Sequence, residues 1–318
     1  MGALSRLLAQ RIALGVGTLL VVSVLIFLGT EILPGDVAEA ILGQAATAEA
    51  VANIRAKLNL DQPAYIRYVS WLAGFVQGDL GVSLANGQPI ASMIGGRLGN
   101  TLFLAGVSAA IAVPLAVFLG LVAARFRDTW LDKSISVATL STISMPEFFL
   151  GYLLIFIFAV RLGVAPSLAN IYPSMSFGDK LYAIALPAAT LTLVVVAHMM
   201  RLTRAAIINV MSSPYVEMAE LKGVTRSRIV LWHAFPNALS PIINVVVLNL
   251  AYLVVGVVLV EVVFVYPGMG QLMVDAVAKR DVPVVQACGL IFAGTYVLLN
   301  MTADILSIVS NPRLRHPR

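Results

Sequence analysis

Six apolar stretches decide most of what this chain can fold into. They are Ile12–Thr30, Leu98–Ala124, Ser134–Val160, Leu181–Met200, Pro241–Val260 and Val282–Ala303. Each is close to the ~20 residues that an α-helix needs to cross a bilayer. Only 12% of the residues are charged, against about 25% in soluble domains. The expected fold class is therefore an all-α integral membrane protein with six transmembrane helices. The single cysteine, Cys288, excludes an internal disulfide and a cysteine-based metal site. His198, His233 and His316 have no metal-ligand spacing. A net charge of +5 invites a nucleic-acid reading, but in a membrane protein basic residues collect in cytoplasmic loops. No nucleic-acid partner is expected, and membrane lipid is.

The first stretch has the flanks of a signal peptide: Arg6 and Arg11 before it, Ala38-Glu39-Ala40 after it. Its uncharged run exceeds the usual apolar core of about 7–15 residues, so it reads as an uncleaved anchor. Lys and Arg placement then sets the orientation. With the N-terminus inside, the inner segments hold Arg125, Arg127, Lys133, Arg201, Arg204, Lys222, Arg226, Arg228, Arg313, Arg315 and Arg318, besides Arg6 and Arg11. Four of the remaining basic residues fall in one long outer loop, where the rule carries little weight. Both termini and the insert Ser212–Pro236 are expected in the cytoplasm.

That insert is polar and basic between two apolar runs. Ser212-Ser213-Pro214 offers a hydroxyl cap and a proline for the first helical position. Glu217 and Glu220 fall near the helix start, where the helix dipole favours them. Lys222 and Gly223 can end the helix. A second short helix is expected from Thr225 to about Ala234. The long outer segment, Glu31 to Arg97, is read as a small amphipathic unit. Thr47 caps a helix to about Leu58, and Asp61 caps one from Pro63 to about Gln77. Tyr65, Tyr68, Trp71, Leu72 and Phe75 recur there at helical spacing. The stripe fits packing on the spanning helices better than reception of an outside partner. Gly78-Asp79-Leu80-Gly81 closes the unit as a turn.

Pro114, Pro146 and Pro187 are expected to kink spanning helices. Charges inside a bilayer are costly and point to function. Glu147, about 21 Å beyond Lys133 along a straight helix, is placed near mid-bilayer. It either lines a path for a cationic or amine group or bonds to a neighbouring helix. Glu261 and Asp304 are placed at the two interfaces. Asn244, Asn249 and Asn300 are read as bonds between helices, with Asn244 and Asn249 also candidates for the path. Arg201 and Arg204 are read as interface anchors, with pairing to Glu217 or Glu220 as the alternative.

The insert resembles the "EAA" coupling loop of ATP-binding-cassette (ABC) importer permeases. Glu217, Ala219, Gly223 and Pro236 stand in register with that pattern, while Met218, His233 and Phe235 depart from it. Further segments add to the likeness: Leu33-Pro34-Gly35-Asp36, Leu58-Asn59-Leu60-Asp61-Gln62-Pro63, Gly78-Asp79-Leu80-Gly81, Ser144-Met145-Pro146-Glu147-Phe148-Phe149, Tyr266-Pro267-Gly268-Met269-Gly270 and Asn311-Pro312-Arg313. Together they resemble the first permease of bacterial dipeptide, oligopeptide and nickel ABC importers across nearly the whole chain. Val37 departs where many members have proline.

The resemblance implies a type I importer permease (MetI-like) fold in a bacterial inner membrane. It implies residues 1–31 as an N-terminal tail and first helix, 32–97 as an extracytoplasmic helical segment, 98–308 as the permease domain with coupling loop 212–236, and 309–318 as a cytoplasmic tail. It implies four kinds of partner: a second homologous permease, two ATPase subunits that bind ATP and magnesium, an extracytoplasmic substrate-binding protein, and lipid. Glu217, Ala219, Glu220, Gly223 and Pro236 would form the coupling site, and the fourth and fifth spans would act as levers. The sequence agrees on one point: it contains no G-x-x-x-x-G-K-[ST] phosphate loop. No catalytic residue and no cofactor of its own is expected. Peptides lead among the implied substrates; nickel complexes, glutathione and opine-like compounds are alternatives. An ion-coupled secondary transporter would need paired mid-membrane charges and usually an internal repeat, and an intramembrane enzyme would need a catalytic set. Neither is visible.

Overall fold

The computed structural model describes residues 3–32, 47–57 and 62–310. Among the described residues the chain is built from helices joined by short turns. In order they are α1 (Ala3–Glu31), α2 (Ala48–Lys57), α3 (Ala64–Val76), α4 (Ile90–Arg125), α5 (Trp130–Ile143), α6 (Glu147–Leu154, continued by the π-helical turn Ile155–Arg161), α7 (Phe177–Ala183), α8 (Ala185–Met211), α9 (Pro214–Leu221), α10 (Phe235–Val263), α11 (Met269–Ala278) and α12 (Val282–Ser310). Among the described residues five helices are long and apolar enough to cross a membrane, or six if the pair α5–α6 counts as one broken span.

That pair corrects the third expected span. It is not one helix from Ser134 to Val160 but two halves bent by 104°. Pro146 has an extended backbone, φ −60° and ψ 143°, and caps the second half. Proline offers no N–H to continue the first half and clashes with the turn before it. Pro114 lies inside α4 as expected. Pro187 does not interrupt a span, because it falls in the first turn of α8, where no bond is lost. Thr47 directly precedes α2, and Pro63, the expected first residue of the next helix, holds the cap position of α3. Asp61, Leu33–Asp36, Leu58–Leu60 and the tail from Asn311 lie outside the described residues.

The centre is the crossing of α4 on α8, where small residues let two backbones meet. A Cβ added to Gly120 would stand 2.8 Å from Thr203 Cβ and Cγ2, and 3.1 Å from the Met200 carbonyl oxygen. Thr203 is β-branched and stiff, so it has little room to yield. Gly120→Ala is therefore expected to lower stability by about 1–3 kcal/mol, read as an earlier thermal transition of the detergent-solubilised protein.

The first helix lies against the last. Gln286 Nε2 donates to Thr30 Oγ1 at 2.8 Å, buried between them. Arg11 pairs with Asp304 at 2.9 Å. The aromatic stripe of α3 closes on α1: Phe27 meets the Tyr68 ring edge-on at 5.5 Å, and Tyr68 Oη shares a 2.8 Å hydrogen bond with Ser23. This is the packing role expected of the stripe.

Candidate functional site

Two regions hold the residues singled out by the sequence: the insert after α8, and the face where α6, α8 and α10 meet.

In the insert, Pro214 opens α9 and Glu217 lies in its first turn. The expected hydroxyl cap is absent. Ser213 holds the cap position, but its Oγ donates back to the Val210 carbonyl at 2.6 Å, and Ser212 does the same to Asn209 at 2.8 Å. These serines finish α8 rather than start α9. The other end follows expectation. Gly223 has φ +75°, a conformation that costs glycine little and other residues more. Its N–H donates to the Glu220 carbonyl at 2.9 Å, and the Val224 N–H reaches back to the Ala219 carbonyl at 3.2 Å. This pair of bonds is the Schellman stop.

Helix α9 buries one edge and leaves the other open. Val216 and Ala219 pack with Ile229 in a small cluster. Ala219 is 8% exposed, so a larger side chain there would lift the helix off its base. Tyr215, Met218 and Leu221 face outward, the last 77% exposed, and Glu217 and Glu220 are exposed beside them. The expected second short helix is not separate. Arg226–Arg228 runs into the π-helical turn Ile229–Ala234 and straight on into α10. Pro236 falls in the first turn of α10, directly after that wide turn. The turn is where a helix tolerates the ring and missing N–H of proline. The His233 carbonyl accepts Asn237 Nδ2 at 2.7 Å and the Tyr215 phenol at 3.3 Å. The phenol therefore ties α9 to the rod of α10. Tyr215, absent from the motif, was not found from sequence because its partner is a backbone oxygen.

Arg204 corrects the anchoring role expected of it. It donates Nε and Nη2 to the two Asp132 oxygens at 2.8 and 2.7 Å. Asp132 is buried and also accepts the Asp128 N–H at 3.0 Å. The fork fixes the turn before α5 onto α8, close to the insert, and neither Glu217 nor Glu220 takes part.

At the far end of α10, Glu261, two residues from the end of the helix, is not an exposed surface carboxylate; it is fully buried within the protein. Its carboxylate accepts Thr101 Oγ1 at 2.6 Å, the Gly270 N–H at 2.7 Å and the Gln271 N–H at 3.2 Å. Thr101 in turn accepts the Met269 N–H at 2.8 Å. Glu261 thus caps α11, whose first amides lack helical partners. Tyr266 is buried and donates to the Asn100 carbonyl at 2.7 Å. Burial raises its phenol above the ordinary range, so it stays a donor.

On the shared face, Glu147 begins α6 and accepts the Tyr252 phenol at 3.2 Å through Oε1. Its Oε2 is buried without a hydrogen-bond partner. Gly256, one turn beyond Tyr252, lies under the carboxylate: a Cβ there would be 3.4 Å from Oε2. The His198 and Tyr252 rings are 6.4 Å apart. Asn244 is half-buried two turns before Tyr252, on the same face of α10. Asn249 is turned inward, and its amide donates to the Val245 carbonyl of its own helix at 2.7 Å. Asn300 likewise bonds Tyr296 within α12 at 2.9 Å. Neither makes the bond between helices expected of it. No group of three or more metal-ligating residues occurs among the described residues.

The described residues form a bundle of apolar helices with the short exposed helix α9 between α8 and α10. Residues 116–316 match the family described as "Binding-protein-dependent transport system inner membrane component". Residues 4–105 match its companion, "Binding-prot-dependent transport system membrane comp, N-term". The glutathione transport system permease protein GsiC of Escherichia coli O6:H1 is 39% identical over 299 residues, 94% of this chain and 95% of that one. The protein of the same name from Shigella flexneri serotype 5b is 38% identical over the same span. Among solved structures, the inward-facing MetNI methionine ABC transporter shares the fold, with TM-score 0.55 and 17% identity over 70% of this chain and 98% of that one. The chain belongs to the family of inner-membrane components of binding-protein-dependent transport systems. It is an ABC importer permease, not itself catalytic and without a cofactor, that works with ATPase subunits and a binding protein.

Proposed function

We propose that this chain forms half of a translocation path for short peptides, glutathione among them, and pairs with a second homologous permease. The outward-facing helix α9 carries this reading. Tyr215, Met218 and Leu221 are apolar side chains on a polar insert, and an exposed patch of that kind marks a protein contact. Two ATPase subunits would receive the two handles, and their closure on ATP would move α8 and α10. Glu217, Ala219, Glu220, Gly223 and Pro236 form the coupling site. Orientation from the Lys and Arg bias puts the insert and both termini in the cytoplasm, in a bacterial inner membrane. Glu147 and Asn244 lie along the path, and Asn249 borders it from the buried side. Residues 32–97 would form the extracytoplasmic segment and residues 98–308 the permease domain, within which α8 and α10 move.

Peptides are favoured by the likeness of the insert and outer segments to peptide-importer permeases. Glutathione is favoured by the name of the relatives, and it is itself a tripeptide. The test is uptake of labelled L-alanyl-L-alanine and of glutathione into proteoliposomes holding the full complex and its binding protein. ATP-dependent uptake of either, abolished when ATP is omitted, is the expected result. Uptake that follows an ion gradient without ATP would overturn the reading.

A further inference from the structure

The polar groups on the shared face form a row that the coupling role does not use. His198 stands at the centre of Ala185–Met211, with 13 residues on either side, roughly 20 Å from each end at 1.5 Å per residue. Tyr252 of α10 lies beside it, and Glu147 lies against Tyr252. Arg201 follows His198 by one turn on the same face of α8. It is exposed and has no ion pair among the described residues. Leu193, Leu248 and Leu259 are the exposed neighbours on α8 and α10. A carboxyl group, a phenol, an imidazole and a guanidinium therefore run in sequence along this face, from α6 across α10 to the half of α8 that leads to the insert.

We propose that this row is a binding site for a zwitterionic solute. The ammonium group lies on Glu147 and the Tyr252 oxygen, and the anionic end lies on Arg201. The chemistry is complementary at both ends. Glu147 Oε2 is enclosed and without a donor, while Oε1 lies at the exposed Tyr252 hydroxyl, where an ammonium can reach it. The Tyr252 hydroxyl, while donating to Glu147, keeps lone pairs to accept a second ammonium proton. A guanidinium takes a carboxylate through two parallel bonds. Neither Glu147 nor Arg201 has an ion-pair partner among the described residues, and one zwitterion would supply a counter-charge to both. The inference rests on the importer reading but not on the choice of cargo, since dipeptides and glutathione both carry an ammonium and a carboxylate.

The test uses the full complex with its binding protein. Uptake of L-alanyl-L-alanine and of glutathione is measured for wild type, Glu147→Gln, Glu147→Asp and Arg201→Gln, together with ATP hydrolysis stimulated by the loaded binding protein. Glu147→Gln and Arg201→Gln are expected to lower uptake about tenfold or more, the scale of a lost charge-assisted hydrogen bond. Stimulated hydrolysis should persist, and Glu147→Asp should recover most of the uptake. Wild-type uptake rates in both Glu147→Gln and Arg201→Gln would overturn the site and leave the importer reading intact. Loss of uptake in Glu147→Asp as deep as in Glu147→Gln, with the complex still assembled, would assign Glu147 a packing role and also overturn it. If one variant fails to assemble, the other decides. ATP-independent uptake by the wild type would defeat the importer reading, and this inference with it.

Discussion

Gly223→Pro is expected to abolish transport while leaving the membrane bundle folded. The residue has φ +75°, which proline cannot adopt. Its N–H also donates to the Glu220 carbonyl, and proline has none to give. The stop between α9 and the rod of α10 would be lost, and the handle would no longer hold its angle. Uptake should fall about tenfold or more, as for the loss of a coupling free energy of about 1–3 kcal/mol. ATP hydrolysis should become indifferent to the loaded binding protein. Glu217→Lys is expected to act in the same direction, with a charge reversed beside the helix start. Normal uptake and normal stimulated hydrolysis in both variants would remove the coupling role from the insert.

The second large effect lies at the far end of α10. Gly268→Ala would put a Cβ 2.0 Å from Glu261 Oε1, so the alanine and the buried carboxylate cannot share the space. Displacing Glu261 strands the Gly270 and Gln271 amides and the Thr101 hydroxyl together. The expected cost is about 3–5 kcal/mol, the range for breaking a buried charged network. Cys288 reports on it, because it is buried in the same cluster as Met269, Leu272 and Val284. Its labelling by a thiol reagent should rise sharply in Gly268→Ala and stay slow in wild type. Slow labelling and an unchanged thermal transition would show that the turn absorbs the methyl group.

Elements fixed by local chemistry were legible in the sequence. Gly223 after a short amphipathic helix announces its own left-handed turn, and long uncharged runs announce spans, because both signals lie within a few residues. The aromatic stripe of α3 was legible for the same reason. Partners far along the chain were not. Glu261 is legible as the end of an apolar run, but its hydrogen-bond partner is not, because Thr101 stands 160 residues away. Arg204 reads as an anchor because it lies near a helix end, yet Asp132 is separated from it by 72 residues. In the sequence Pro146 announces only a kink, since a proline shows where a helix is weakened but not by how much its neighbours let it turn. At the candidate path, Glu147 was visible as a charge in an apolar run. Tyr252 and His198 are silent in the sequence, because ordinary residues on two other helices give no signal until the helices cross.

The bend between α5 and α6 leaves Ser144, Met145 and Pro146 exposed on the surface of this single chain. Hydrocarbon cannot hydrate the carbonyls freed by such a corner, so irregular backbone at depth survives only against protein or beside water. A lone copy of the subunit is thus an unfinished solute for lipid. Its lifetime in a cell is tied to meeting a companion, and a strain making it without one should accumulate little of it.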